Sequence, residues 1–198
     1  MVIHLVVAEI RMHGKGGQGV VIGAELIAYA AVIEGKFARA FPEFTAARRG
    51  APVVSYLFIG EPSMASRAAI TNPEYLVVFD PKLHSVIPGV VFSGFRNGGV
   101  WIQNTTKSPK EVVEELKTYI PSIKPRTVAT IDATGIALKH TGRTIPNVVM
   151  VGAFSKVTGL VELRSLAEAV KYRFPQRTWE GNLKALEDGY NSVAVEVL

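Results

Sequence analysis

Four glycines fall within the six residues Gly14-Lys15-Gly16-Gly17-Gln18-Gly19. They follow the apolar run Leu5-Val6-Val7 and Glu9-Ile10-Arg11-Met12, and they precede an apolar, Ala-rich stretch that begins Val20-Val21. Glycine reaches backbone angles closed to other residues and lets a ligand come close to the main chain. Free amides at the start of a helix, together with its dipole, favour a phosphate or diphosphate. Gly14, Gly16 and Gly19 satisfy G-x-G-x-x-G in the strand–loop–helix setting that the pattern requires. No G-K-[ST] closes it, which excludes a P-loop. The chemistry is that of an anion cradle. Two other readings stay open: a tight turn that needs glycine but holds no ligand, and a dinucleotide fold with Glu43 on the ribose.

A second constellation is Ala40-Phe41-Pro42-Glu43-Phe44, followed by Arg48-Arg49-Gly50-Ala51-Pro52. Arginine presents a planar fork that binds phosphate or carboxylate at two points. In a doubly wound sheet this segment and the glycine loop would lie at the carboxyl ends of neighbouring strands, where ligands gather. Phe41 and Phe44 could instead anchor a partner subunit. The catalytic inventory is thin. Ser55, Ser63 and Ser66 lack a G-x-S-x-G elbow. His13 abuts the loop as a strand-end residue, and Asp80 and Asp132 end strands as ordinary turn formers or caps. The four histidines are scattered without metal-ligand spacing, so no metal site is expected. The absence of cysteine removes disulfides, thiolate nucleophiles and the usual ligands of iron–sulfur clusters.

These residues must be held by a compact scaffold. With 198 residues, 48% of them hydrophobic and 20% charged, one substantial domain over 1–198 is the economical expectation. A net charge of +5 without a basic run argues against nucleic acid. No membrane span and no secretory leader is legible, which points to the cytoplasm. Val, Ile, Phe and Tyr runs bounded by turn formers predict strands over residues 5–12, 36–41, 53–59, 75–79, 99–103 and 127–131. Helices are predicted over 18–34, 108–119, 133–140, 146–158, 163–173 and 177–193; Ser108-Pro109-Lys110-Glu111 is a capping-box start for the second. The irregular stretch 81–99 reads as a loop with one short helix. The fold class is α/β, a mostly parallel sheet covered by helices on both faces, with a helical C-terminal extension.

The order of these segments resembles the gamma subunit of 2-oxoacid:ferredoxin oxidoreductases. The resemblance runs through Gly14 to Val21, Gly35-Lys36, Ala40-Phe41-Pro42-Glu43 and Arg48 to Pro52. It continues in Asn72 to Asp80, Asp132-Ala133-Thr134, Ile145 to Ala153, Lys156 to Leu160, Asn182 to Leu186 and Gly189-Tyr190, and so covers residues 8–192. The A-F-P-E and R-G-A-P forms look most like pyruvate enzymes, with 2-oxoisovalerate enzymes close behind. The resemblance implies a non-catalytic subunit of a hetero-oligomer that turns a 2-oxoacid and coenzyme A into acyl-CoA, CO2 and reduced ferredoxin. Thiamine diphosphate and [4Fe–4S] clusters would belong to alpha, beta and delta subunits. This chain would bind no cofactor alone and would meet coenzyme A at its surface in the complex. The implied contacts are Gly14, Lys15, Gly16, Gly17, Gln18, Gly19, Arg48 and Arg49. Isolated, the chain could self-associate as a homodimer. A stand-alone dinucleotide-binding protein and a ligand-free scaffold remain the alternatives.

Overall fold

The computed structural model describes residues 7–44, 51–62 and 68–198. Its elements are strands β1 (Ala8–Lys15), β2 (Phe37–Phe44), β3 (Pro52–Gly60), β4 (Tyr75–Val78), β5 (Val100–Asn104), β6 (Thr127–Ile131) and β7 (Ala194–Val197). The α-helices are α1 (Val20–Ile33), α2 (Leu83–Val86), α3 (Pro88–Val91), α4 (Pro109–Tyr119), α5 (Ala133–Thr141), α6 (Asn147–Thr158), α7 (Leu163–Arg173) and α8 (Trp179–Ser192). No helix among the described residues is long and apolar enough to cross a membrane.

The seven strands lie in the order β2-β3-β1-β4-β5-β6-β7. Strands β1, β4, β5 and β6 are mutually parallel and form the centre. Strands β4 and β5 are buried along their whole length, as expected of strands covered on both faces. The flanks are antiparallel: β3 to β1, β2 to β3 and β7 to β6. Residues 45–51 are too few to make the crossover that a parallel β2–β3 pair needs. The expected mostly parallel sheet is thus a mixed one with a parallel centre.

One face of the sheet packs on α1 and the C-terminal helices, through Leu26, Ile27, Val149, Met150, Phe154 and Leu186 among others. The other face, carrying Leu76, Val78 and Trp101, is covered by α2, α3 and α4. Helix α4 starts where its sequence says it should. The Ser108 hydroxyl caps the Glu111 amide, and the Glu111 carboxylate returns to the Ser108 amide at 2.8 Å.

Three local differences from the sequence reading have simple causes. Strand β1 runs on to Lys15, because Gly14 and Lys15 still pair with Val53 and Pro52 of β3. Residues 81–99 hold two one-turn helices, α2 and α3, not one. After α8 the chain turns back as β7, which pairs with β6 through Ala194 to Val197.

Candidate functional site

The carboxyl ends of the four parallel strands meet along one rim of the sheet. The glycine loop follows β1, Asp80 follows β4, Asn104 ends β5 and Asp132 follows β6. Side-chain amides tie this rim together. Asn104 donates to the Phe79 carbonyl at 2.7 Å and to the Thr134 hydroxyl at 2.9 Å, and it accepts from the Ala133 amide at 3.0 Å. Asp132 caps α5 by accepting from the Gly135 amide at 2.9 Å.

Within the loop, Gly17 and Gly19 have φ of 97° and 72°, in the left-handed region that favours glycine. Gly19 also has no room for a side chain: a Cβ there would lie 2.6–2.9 Å from atoms of Asn147 at the start of α6. The loop is more inward-turned than its sequence suggests. The Lys15 amide donates to Gln18 Oε1 at 2.7 Å, the Gly16 amide to the Ala51 carbonyl at 3.0 Å and the Gln18 amide to the Lys15 carbonyl at 3.1 Å. Among the described residues, the amides of Gly17 and Gly19 are left without a partner. The Lys15 ammonium lies 3.1 Å from Asp80.

Lys15, Gly16, Gly17 and Gly19 form one wall of a cleft of about 950 Å3. The beginnings of α1 and α6 open into it, so two helix dipoles present their positive ends to the same space. The opposite wall carries Lys139 and His140 at the end of α5, Arg143 in the following turn, Arg177 before α8, and Lys184 on α8. Lys139 and His140 share Asp188, at 3.2 and 2.8 Å. The Ser192 hydroxyl, then His140 and Lys139, hold the Asp188 carboxyl down at about 2 against the opposing effect of burial. Lys184 pairs with Glu180 at 2.7 Å. Arg143 and Arg177 have no acidic partner among the described residues. They are exposed guanidinium groups facing a concave space.

This far wall was not legible in the sequence, because its cations lie 120 or more residues from the glycine loop and in no motif of their own. Arg48 and Arg49 lie outside the described residues. Glu43 lies within β2, not past it, and accepts from the Tyr56 hydroxyl of β3; burial and then Glu43 push that phenol up to about 12. Strand β3 lies between β1 and β2 in the sheet. His13 is 4% exposed, accepts a hydrogen bond from Arg11 and does not line the cleft. Among the described residues no group of three or more His, Asp or Glu is arranged to hold a metal ion.

A family model described as pyruvate ferredoxin/flavodoxin oxidoreductase matches residues 9–192. The protein of Thermococcus kodakarensis named pyruvate/ketoisovalerate oxidoreductases common subunit gamma is 44% identical over 187 residues, 94% of this chain and 97% of the relative. Pyruvate synthase subunit PorC of Methanothermobacter marburgensis is 42% identical over 185 residues, 93% of this chain and 97% of the relative. The crystal structure of pyruvate oxidoreductase subunit PORC from Thermotoga maritima superposes with a TM-score of 0.81 at 34% identity, covering 96% of this chain and 98% of that one. The chain belongs to the pyruvate ferredoxin/flavodoxin oxidoreductase family, as a gamma-type subunit of a 2-oxoacid oxidoreductase.

Proposed function

We propose that this subunit encloses coenzyme A while partner subunits carry out the oxidation of a 2-oxoacid, pyruvate in the first instance. The overall reaction yields acyl-CoA, CO2 and reduced ferredoxin, and the partners are alpha, beta and delta subunits in the cytoplasm. The observation that carries this reading is the cleft. Its volume falls in the range of cofactor sites, the starts of two helices line it, and two arginines with no acidic partner among the described residues line the space where phosphates would lie. Residues 1–198 act in this as one domain. Support for pyruvate comes from the relatives, whose names specify pyruvate or ketoisovalerate.

Thiamine diphosphate and [4Fe–4S] clusters fit this chain poorly. It has no cysteine to supply thiolates and no G-D-G…N diphosphate motif, so both groups are assigned to the partner subunits. What the chain's own residues do is bind, orient and exclude water. Arg143 and Arg177 would each hold a phosphate oxygen, the amides of Gly17 and Gly19 would meet a polar acceptor of the ligand, and the apolar start of α1 would dry the cleft floor.

A charge-assisted hydrogen bond of this kind contributes about 1.5–3 kcal/mol, so Arg143→Ala is expected to raise the KM for coenzyme A about tenfold or more. The KM for the 2-oxoacid should stay within about twofold, a factor too small to signal a lost contact. Steady-state kinetics of the assembled oxidoreductase, varying each substrate in turn, checks this. A normal KM for coenzyme A in both Arg143→Ala and Arg177→Ala, with normal assembly, would leave the scaffold reading in its place.

A further inference from the structure

Asp80 takes no part in the recognition proposed above, yet it stands directly behind the glycine loop and is 4% exposed. Its Oδ1 accepts from the Lys82 amide at 3.0 Å. Its Oδ2 accepts from Gln18 Nε2 at 2.9 Å and lies 3.1 Å from Lys15 Nζ. Its carbonyl is fixed by Gln103 Nε2 at 3.0 Å. Gln18 completes the brace, because its Oε1 accepts from the Lys15 amide. Burial pushes the Asp80 carboxyl up, but the Lys82 amide, Lys15 and Gln18 outweigh it and hold it below the ordinary carboxylate range. A carboxylate set behind an anion-binding loop opposes an incoming phosphate by like-charge repulsion. A loop built to take a phosphate on a lysine, as P-loops do, would leave that ammonium free. Here Lys15, the cation within the loop, is cancelled from behind, and the arginines without an acidic partner among the described residues stand on the opposite wall.

We infer that Asp80 is a positioning residue that keeps the glycine loop neutral and closed, acting through Lys15 and Gln18, so that the anionic end of the ligand is directed across the cleft to Arg143 and Arg177. The amides of Gly17 and Gly19 are then left for an uncharged polar segment of the ligand. The inference rests on the reading of the cleft as a coenzyme A site.

The test is steady-state kinetics of the assembled oxidoreductase at two salt concentrations. Asp80→Asn is nearly isosteric and frees the Lys15 charge; its one remaining acceptor serves either the Lys82 amide or Gln18, which both donate to the carboxylate. The KM for coenzyme A is expected to fall about threefold or more and to depend more steeply on salt, with the change in KM and not in kcat. A KM that rises or stays the same overturns the inference. Lys15→Met reads the same balance from the other side, since it leaves the Asp80 charge uncancelled and must raise KM; should Asp80→Asn fail to assemble, an unchanged KM in Lys15→Met overturns the inference instead. Gln18→Ala removes the brace without changing charge. Hydrogen exchange at the Lys15 amide is expected to accelerate about tenfold or more in that variant, and unaltered exchange would contradict the bracing role. If Arg143→Ala raises KM while the Asp80 variant does not lower it, only the role of Asp80 is lost. If Arg143→Ala and Arg177→Ala are both silent as well, the coenzyme A reading falls with it.

Discussion

Replacing Gly152 by alanine is expected to destabilise the chain by about 2–4 kcal/mol, although the substitution improves helix propensity by about 1 kcal/mol. Helices α6 and α8 touch through backbone at two glycines. A Cβ on Gly152 would lie 2.1 Å from the Leu186 carbonyl oxygen, and one on Gly189 would lie 2.3 Å from the Val149 carbonyl oxygen. Neither neighbour is a flexible side chain that can swing aside. The helices would have to separate, and α6 is buried from Asn147 through Ser155, so the separation opens the core on both of its sides. Close packing leaves no slack to absorb that shift. For a chain of this size the loss corresponds to roughly 5–15 °C in Tm, with the urea m-value unchanged. Urea unfolding of wild type, Gly152→Ala and Gly189→Ala checks it. The double variant should cost less than the sum of the singles, because one separation relieves both clashes. A loss below about 0.5 kcal/mol, within the range of an ordinary surface substitution, would mean that the two helices are not in backbone contact.

Stability is also expected to fall on mild acidification, and His13 is the main cause. Its ring is buried, and its Nε2 accepts from Arg11 Nε at 2.9 Å. Arg11 in turn donates to the carbonyls of Val91 and Ser93 at the end of α3, at 3.0 and 2.6 Å. Burial first, and the Arg11 charge second, push the His13 pKa down from 6.5 to about 3. The folded chain therefore keeps His13 neutral while the unfolded chain takes up a proton below pH 6.5. The contribution is fully present above 6.5, declines as pH falls through that value, and levels off near 3. At one pKa unit per about 1.4 kcal/mol, lowering the pH from 7 to 5 costs about 2 kcal/mol at this site. His84 acts in the same direction, since burial lowers its pKa and Glu115 offsets this in part. His13→Gln retains an acceptor for Arg11 and cannot be protonated. Its denaturation midpoint should vary less between pH 7 and 5 than that of the wild type, by the amount above. An identical pH dependence in the two proteins would show that His13 is protonated in the fold.

The sequence made the scaffold legible and half of the site. Amphipathic or uniformly apolar segments with clear stops, such as 108–119 and 163–173, are found within a residue of their expected ends, because local capping and periodicity decide them. Strand β7 was missed because Val193 to Leu198 is short and follows a helix directly; only the distant pairing with β6 makes it a strand. The mostly parallel reading left open which strands run antiparallel, since strand direction depends on connection length and not on composition. In the site, the glycine loop announced itself through spacing. Arg143, Arg177 and Lys184 did not, for each is an ordinary surface cation until the packing of α5, α6 and α8 turns it toward the loop. Asp80 stood out in the sequence only as a turn former after a strand; its contact with Lys15 and Gln18 joins residues more than 60 positions apart.

The most direct measurement is a structure of the assembled oxidoreductase with coenzyme A bound, at a resolution that places the phosphates. The account predicts the nucleotide end of coenzyme A in the cleft between the glycine loop and α8, with phosphate oxygens within hydrogen-bond reach of Arg143 and Arg177. Coenzyme A held wholly by other subunits, with this cleft filled by a partner's side chains, would contradict it and leave the chain a scaffold.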